Sequence, residues 1–204
     1  MKRFTQQATL AFTLLCSALT LTHPADAGEK QAIKAGVVVT MDGEPIIDGV
    51  ILMDGGRIVT VGPAAEVEIP WDAEVTDAAS MVAVPGFVEA HSTDGMDRTN
   101  ETIDVGPFFD VQDSVNPVAF YFEDSLRFGI TTINIQQGNN CVVAAQGAIV
   151  KPYGATVAQQ LVRPHAGVKM SISPKSGKSR ATQAAALRKA FTDLREHLEE
   201  LVEE

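Results

Sequence analysis

The sequence predicts an α/β chain, a small all-β unit followed by a segment in which helix and strand alternate. Three observations carry this. Residues 31–84 are short β-branched and apolar runs separated by turn signals, with no helix-period stretch. Val118 to Phe128 has helical spacing, stops at Gly129, and is followed at once by the β-branched run Gly129 to Gln136. A helix leading into a strand points to an α/β barrel or a layered sheet. Last, Leu187, Phe191, Leu194, Leu198 and Leu201 fall at steps of four and three, one apolar stripe on a helix that Ser179 could cap.

Taken in order, the chain opens with a segment that belongs to no fold. Lys2 and Arg3 precede the apolar stretch Ala8 to Leu21, and Pro24 and Ala25-Asp26-Ala27 follow. This is the layout of a secretory signal peptide over residues 1–27, cleaved before Gly28. The apolar part is shorter than the ~20 residues a membrane span needs. Uncleaved, the segment would act as an N-terminal anchor. Cys16 follows Leu15 inside the apolar stretch, which is not the setting of a lipid-modified cysteine. Export to the periplasm or the medium is the expectation, with no membrane association after cleavage.

Residues 28–84 form the expected β unit. Ala35 to Thr40 is one run, and Met41-Asp42-Gly43-Glu44-Pro45 a turn. Ile46 to Met53 is a second run, joined through Asp54-Gly55-Gly56 to Arg57 to Val61 in a hairpin pattern. Val75 and Met81 to Val84 supply further strand. In residues 85–204 the apolar run Val82 to Ala90 ends at His91-Ser92-Thr93-Asp94, and residues 94–116 read as a long polar loop. Gly138 to Gly154 is Gly/Asn/Gln/Ala-rich, and Gly167 to Ser173 is a further strand candidate.

The 204 residues carry a net charge of -10 and are 45% hydrophobic, an ordinary globular composition. An acidic surface repels phosphate backbones and anionic lipid, so nucleic acid is not an expected partner. Of the two cysteines only Cys141 lies outside the signal segment, which leaves no internal disulfide. With no histidine near it in sequence, Cys141 reads as a buried apolar thiol.

The stretch Asp48 to Gly62, with Asp54-Gly55-Gly56-Arg57-Ile58 at its centre, and Val84-Pro85-Gly86-Phe87-Val88-Glu89-Ala90-His91 resemble the opening of the amidohydrolase superfamily. Within it, imidazolonepropionase-like metal-dependent hydrolases open with a β-sandwich that feeds the first barrel strand. Asn100-Glu101, Asn116-Pro117, Phe122-Glu123, Gly129-Ile130-Thr131-Thr132 and Gly147 to Lys151 extend the likeness to roughly residues 31–195. The resemblance implies a small β-sandwich followed by a TIM-like (β/α)8 barrel. It also implies one or two divalent metals, zinc foremost, and metal-assisted hydrolysis of C–N bonds in a small-molecule substrate. A full barrel takes ~250 residues. Residues 85–204 suffice for about three β/α units, so the expectation is the N-terminal part of an incomplete barrel.

In the superfamily the first barrel strand ends in His-x-His. Here His91 matches the first histidine and Thr93 stands at the second. His91 is the one candidate metal ligand, with a hydrogen-bonded structural histidine as the competing reading. Asp94 and Asp97 could add oxygen ligands. His165, after Pro164, reads as part of a turn and His197 as part of a solvated helix face. Lys151 reads as structural or as a charge on the substrate side, and not as the bridging lysine of carbamylated members. Asp94, Asp97, Arg98, Asn100 and Glu101 form a polar run at the expected barrel mouth, a solvated loop on the bland reading. Gly138-Asn139-Asn140 lacks the Gly-Lys-Ser/Thr of a phosphate loop and reads as a turn. Three functional readings stand: an exported hydrolase, a non-catalytic relative that binds a ligand or partner, and an inactive fragment.

Overall fold

The computed structural model describes residues 30–203, and the expected signal segment lies outside them. The chain divides into two compact units, the first ending at Pro85 and the second beginning at Gly86.

In the first unit the described residues form β1 (Gln31–Val38), β2 (Ile46–Asp54), β3 (Arg57–Pro63) and β4 (Glu74–Ala83). They make one sheet in the order β3-β2-β1-β4. The turn from β2 to β3 puts Gly55 and Gly56 at φ +57° and +71°. A two-residue reversal between twisted strands needs that conformation, and a Cβ disfavours it. The expected sandwich is a single layer among the described residues. The reason lies in β4, which does not start a second sheet. It adds in parallel to the free edge of β1, with Gln31 opposite Glu74 and Val38 opposite Ala83. Ala32 and Val50 are fully buried, whereas Ile58, Met81 and Val82 are more than half exposed.

The second unit holds β5 (Phe87–Ser92), a 3-10 turn (Val111–Ser114), α1 (Phe120–Arg127), β6 (Ile130–Ile135), β7 (Val143–Val150), α2 (Val157–Gln160), β8 (Leu161–Met170) and α3 (Arg180–Glu203). Its sheet runs β5-β6-β7-β8. The α/β class is therefore borne out, with two mixed sheets and few helices. The core gathers Val111, Phe122, Ile133, Ile135, Ala148 and Val150. Phe122 enters it from α1, which ends where Gly129 takes φ +76°.

A run of parallel β/α units is corrected by the sheet. One such unit is present, with β5 parallel to β6 across α1. The next return is a hairpin, because the short segment 136–142, containing Gly138-Asn139-Asn140, is too brief for a crossover. β7 consequently runs antiparallel to both β6 and β8. β8 also starts earlier than the sequence predicts. Pro164-His165 is absorbed as a bulge, since Gly147 pairs with Gly167 while Ile149 pairs with Arg163. A residue without an N–H fits a bulge better than a regular ladder position. His165, at φ +48°, thus lies in an interrupted strand and not in a turn.

The predicted C-terminal helix is present as α3. Ser179 Oγ accepts the Thr182 N–H at 3.2 Å. Gln183, 1% exposed, ties the helix to the sheet. Its Nε2 donates to the carbonyls of Cys141 at 2.9 Å and Ser171 at 2.8 Å. Farther along, Phe191, Leu194, Leu198 and Leu201 each remain about half exposed.

Candidate functional site

Strand direction decides which side chains can meet. β5, β6 and β8 run the same way and β7 alone runs against them, so three C-terminal ends share one edge of the sheet. His91 is the penultimate residue of β5 and Lys169 the penultimate residue of β8, while Gln137 follows β6 by two residues. Three interstrand steps of ~4.8 Å separate β5 from β8. Two long side chains reach across that gap, and His91 Nε2 lies 2.7 Å from Lys169 Nζ. The amine also donates to the Gln137 carbonyl at 2.7 Å. Burial holds the Lys169 pKa below the ordinary lysine value. Lys30, Lys175, Lys178 and Lys189 each pair with an aspartate, and Lys169 has no such partner among the described residues.

The back of β5 is fixed from α1. Tyr121 OH lies 2.7 Å from Glu89 Oε2 and 2.7 Å from Ser92 Oγ. Glu89 and Ser92 are an odd number of residues apart, yet a shift in the β5–β6 register between them brings both within reach of one hydroxyl. Burial, with the nearby Glu89 carboxylate, pushes the Tyr121 pKa up to about 12. Ser92 is buried and also accepts the Asp94 N–H at 3.1 Å.

The described residues at this edge supply too few donors to hold a divalent ion by themselves. Among the described residues no three His, Cys, Asp or Glu side chains converge as metal ligands. Protein zinc sites use three or four. His91 stands with Thr93 two residues on, and its Nε2 faces an amine. His165 is elsewhere, with Nδ1 3.3 Å from Asp110 Oδ2. His197 is an exposed residue of α3, 3.9 Å from Glu200. Lys151 Nζ donates to Thr132 Oγ1 at 2.8 Å. Cys141 is fully buried, and burial raises its thiol pKa. Gly138-Asn139-Asn140 is a structural turn, in which Asn140 N–H donates to Asn100 Oδ1 at 3.0 Å and Gly138 N–H to the Thr99 carbonyl at 2.6 Å.

The polar run after His91 is more than a solvated loop. Asp97, Arg98, Asn100 and Glu101 wall a cleft of about 210 Å³, closed on the other side by Asp110, Asp113 and Gln137. Ser114 Oγ donates to Asp97 Oδ1 and holds that carboxyl below its ordinary pKa. Sequence reasoning found the first four residues and missed Asp110, Asp113, Gln137 and Lys169. For Lys169 a signal exists. Val168 and Met170 are apolar and border a groove against α3, so period-two alternation puts Lys169 on the other face.

No family model matches the chain. Over 64 residues it is 42% identical to a 5-methylthioadenosine/S-adenosylhomocysteine deaminase of Moorella thermoacetica, covering 31% of this chain and 15% of that protein. Over 66 residues it is 44% identical to a 5'-deoxyadenosine deaminase of Methanococcoides burtonii, covering 31% of this chain and 14% of that protein. An amidohydrolase from Thermotoga maritima superposes with a TM-score of 0.75 and 26% identity, over 83% of this chain and 48% of that one. The match thus spans under a fifth of the curated relatives and about half of the solved structure.

Proposed function

The chain belongs to the amidohydrolase superfamily, and on that footing we propose that it is part of an exported hydrolase that cleaves non-peptide C–N bonds in a small molecule. The observation that supports this most directly is the meeting of His91, Lys169 and the Gln137 carbonyl at the edge where three strands end. Binding and catalytic groups of open α/β sheets and of barrels collect at the C-terminal ends of their strands. On this reading the protein is periplasmic or secreted. The first barrel strand is β5, and the β unit before it is one layer of the sandwich.

A divalent metal, zinc foremost, belongs to the same reading, and His91 would be one of its ligands. The described residues do not complete that site, so the chemistry they support is their own. The Lys169 ammonium can donate to a substrate carbonyl oxygen and hold negative charge that develops on it. His91 Nε2 can accept a hydrogen bond from the Lys169 amine, and the Gln137 carbonyl keeps the amine in place.

The test is zinc content of the full-length chain, measured by mass spectrometry after dialysis, for the parent and for His91→Ala. Loss of zinc in His91→Ala supports the metal-dependent reading. Equal content removes His91 as a ligand. One observation favours a second reading, a relative that binds a ligand without hydrolysing it. Thr93 replaces an imidazole, and an amine faces the histidine that remains. Ring opening of a panel of cyclic amides, read as the appearance of a carboxylate and a tethered amine in the product, separates the two.

A further inference from the structure

The far half of α3 carries an apolar face that packs on nothing among the described residues. Gln183, near the start of the helix, is buried, whereas every residue from Asp193 to Glu203 is exposed. Phe191, Leu194, Leu198 and Leu201 are 50–55% exposed. So short a stretch of helix is marginal alone in water, and helices in proteins owe most of their stability to an apolar face packed against something. The spacing shows what kind of cover fits. Leu187, Phe191, Leu194, Leu198 and Leu201 follow steps of four, three, four and three. That is the narrow seam of two helices packed on each other, not the broader stripe of a helix laid on a sheet. Phe191 and Leu194 also wall an apolar groove of about 260 Å³ against Val168 and Met170 of β8, so the seam runs on into a recess.

Charge selects the partner and its direction. Residues 180–189 carry Arg180, Arg188 and Lys189 and no acid. Residues 193–203 carry Asp193, Glu196, Glu199, Glu200 and Glu203 against Arg195 alone. Both ends have the wrong sign for the dipole of their own helix, which favours acids at the start and bases at the end. Pairs within the helix answer part of this charge, Lys189 with Asp193 at 2.7 Å and Arg195 with Glu199 at 3.8 Å. Arg188, Glu196 and Glu203 make no ion pair among the described residues. A second α3 laid parallel would set like charge on like. Laid antiparallel, it sets bases level with acids and opposes the two dipoles. The seam has the matching symmetry. About a two-fold axis at Glu196, Phe191 of one copy comes level with Leu201 of the other, Leu194 with Leu198, and Lys189 with Glu203. One register therefore closes the apolar seam and brings the charges into opposition.

We propose that α3 is a self-association surface, which pairs antiparallel with α3 of a second copy of this chain. The pairing does not rest on the hydrolase reading. A single helix a copy sets the contact at the small end of specific interfaces, under about 1,200 Å² in total, so the dimer is weak and concentration-dependent. The test is sedimentation velocity of the full-length chain from about 2 to about 200 µM, with a dissociation constant on the order of 10 µM expected. Leu198→Glu should raise that constant more than about thirtyfold, and Arg188→Glu about threefold. Should Leu198→Glu lose helix by circular dichroism, Arg188→Glu and cross-linking decide. For cross-linking, single cysteines are placed in a Cys16→Ser background, where the remaining Cys141 is buried. Chains with Phe191→Cys mixed with chains with Leu201→Cys should join on oxidation, and Leu201→Cys chains alone should not. A monomer at every concentration overturns the proposal. So does a dimer that a folded Leu198→Glu leaves intact, or one that Arg188→Glu leaves unchanged. Cross-linking of Leu201→Cys chains by themselves overturns the antiparallel direction and the proposal with it.

Discussion

Tyr121→Phe isolates how α1 holds the strand that delivers His91. The substitution removes one hydroxyl and leaves the ring, so packing beside Phe122 is unchanged. The hydroxyl sits 2.7 Å from the Glu89 carboxylate and 2.7 Å from Ser92 Oγ. A hydrogen bond to a charged group contributes about 1.5–3 kcal/mol and a neutral one about 0.5–1.5 kcal/mol. Glu89 is only partly buried and can rehydrate, and Ser92 keeps the Asp94 N–H, so the loss should fall near 2 kcal/mol. With a urea m-value of about 2 kcal/mol per molar, the unfolding midpoint of the second unit should drop by about 1 M. The pH dependence gives an independent readout. The Tyr121 pKa is raised from 10.0 to about 12, so the folded state holds its proton more tightly than the unfolded chain. That contribution is fully present below pH 10 and is lost as pH rises toward 12. The parent should lose stability over this window, and Tyr121→Phe should lack that portion of the loss. A midpoint shift under about 0.2 M, or an identical alkaline decline in both proteins, would refute the idea that this hydroxyl anchors β5.

Gln183→Ala removes three bonds from a side chain 1% exposed, leaving the Cys141 and Ser171 carbonyls and the Lys175 N–H without it, so it should cost about 3 kcal/mol and expose the segment between β8 and α3 to limited proteolysis. Cys141, buried and with its pKa raised by burial, should react with a disulfide reagent at pH 8 about a hundredfold more slowly in the native chain than in urea; equal rates would mean the thiol is open. Lys178 and Lys175 hold the Asp104 carboxyl below its ordinary value of 3.8, so its contribution is present above that pH and is lost as pH falls through the lower folded value. Because the group is exposed, Asp104→Asn should cost about 1 kcal/mol or less at pH 7, and it should flatten the acid limb of a stability titration.

The legible parts of this fold are those that local chemistry decides. Glycines at positive φ mark the β2–β3 hairpin and the end of α1, and both are where the sequence predicts them. The α3 stripe is equally plain from its spacing. Direction of pairing is different, because it depends on which edge is free. Nothing between Ala73 and Pro85 distinguishes a strand that opens a second sheet from one that adds to β1. The same holds for β7, whose Gly- and Ala-rich sequence hides a strand with neighbours on both sides, with Ala144, Ala145 and Ala148 all buried. Small residues there mark close packing and not a loop. Of the site, His91 and the run from Asp97 to Glu101 could be found by motif and polarity. Alternation along β8 puts Lys169 on the face opposite Val168 and Met170, but its meeting with His91, like the approach of Gln137 and Asp113 to the cleft, depends on tertiary placement that no local pattern shows.

That order also explains which lysine is placed to act. Lys151 follows β7 directly, and Lys169 lies one residue from the end of β8. Had β7 been parallel to β6, as successive β/α units require, its C-terminal end would have joined the edge that carries His91, and Lys151 with it. The hairpin through Gly138-Asn139-Asn140 reverses β7, sends Lys151 to the opposite edge and leaves it bonded to Thr132, near the start of β6. The second reversal turns β8 back, so its C-terminal end comes level with that of β5 and Lys169 reaches His91. A single antiparallel strand thus exchanges one lysine for another at the edge. Swapping the charges tests this directly. Lys151→Gln should leave the chemical shifts of the His91 ring unchanged, whereas Lys169→Gln should move them. The reverse pattern would mean that strand order does not set the site.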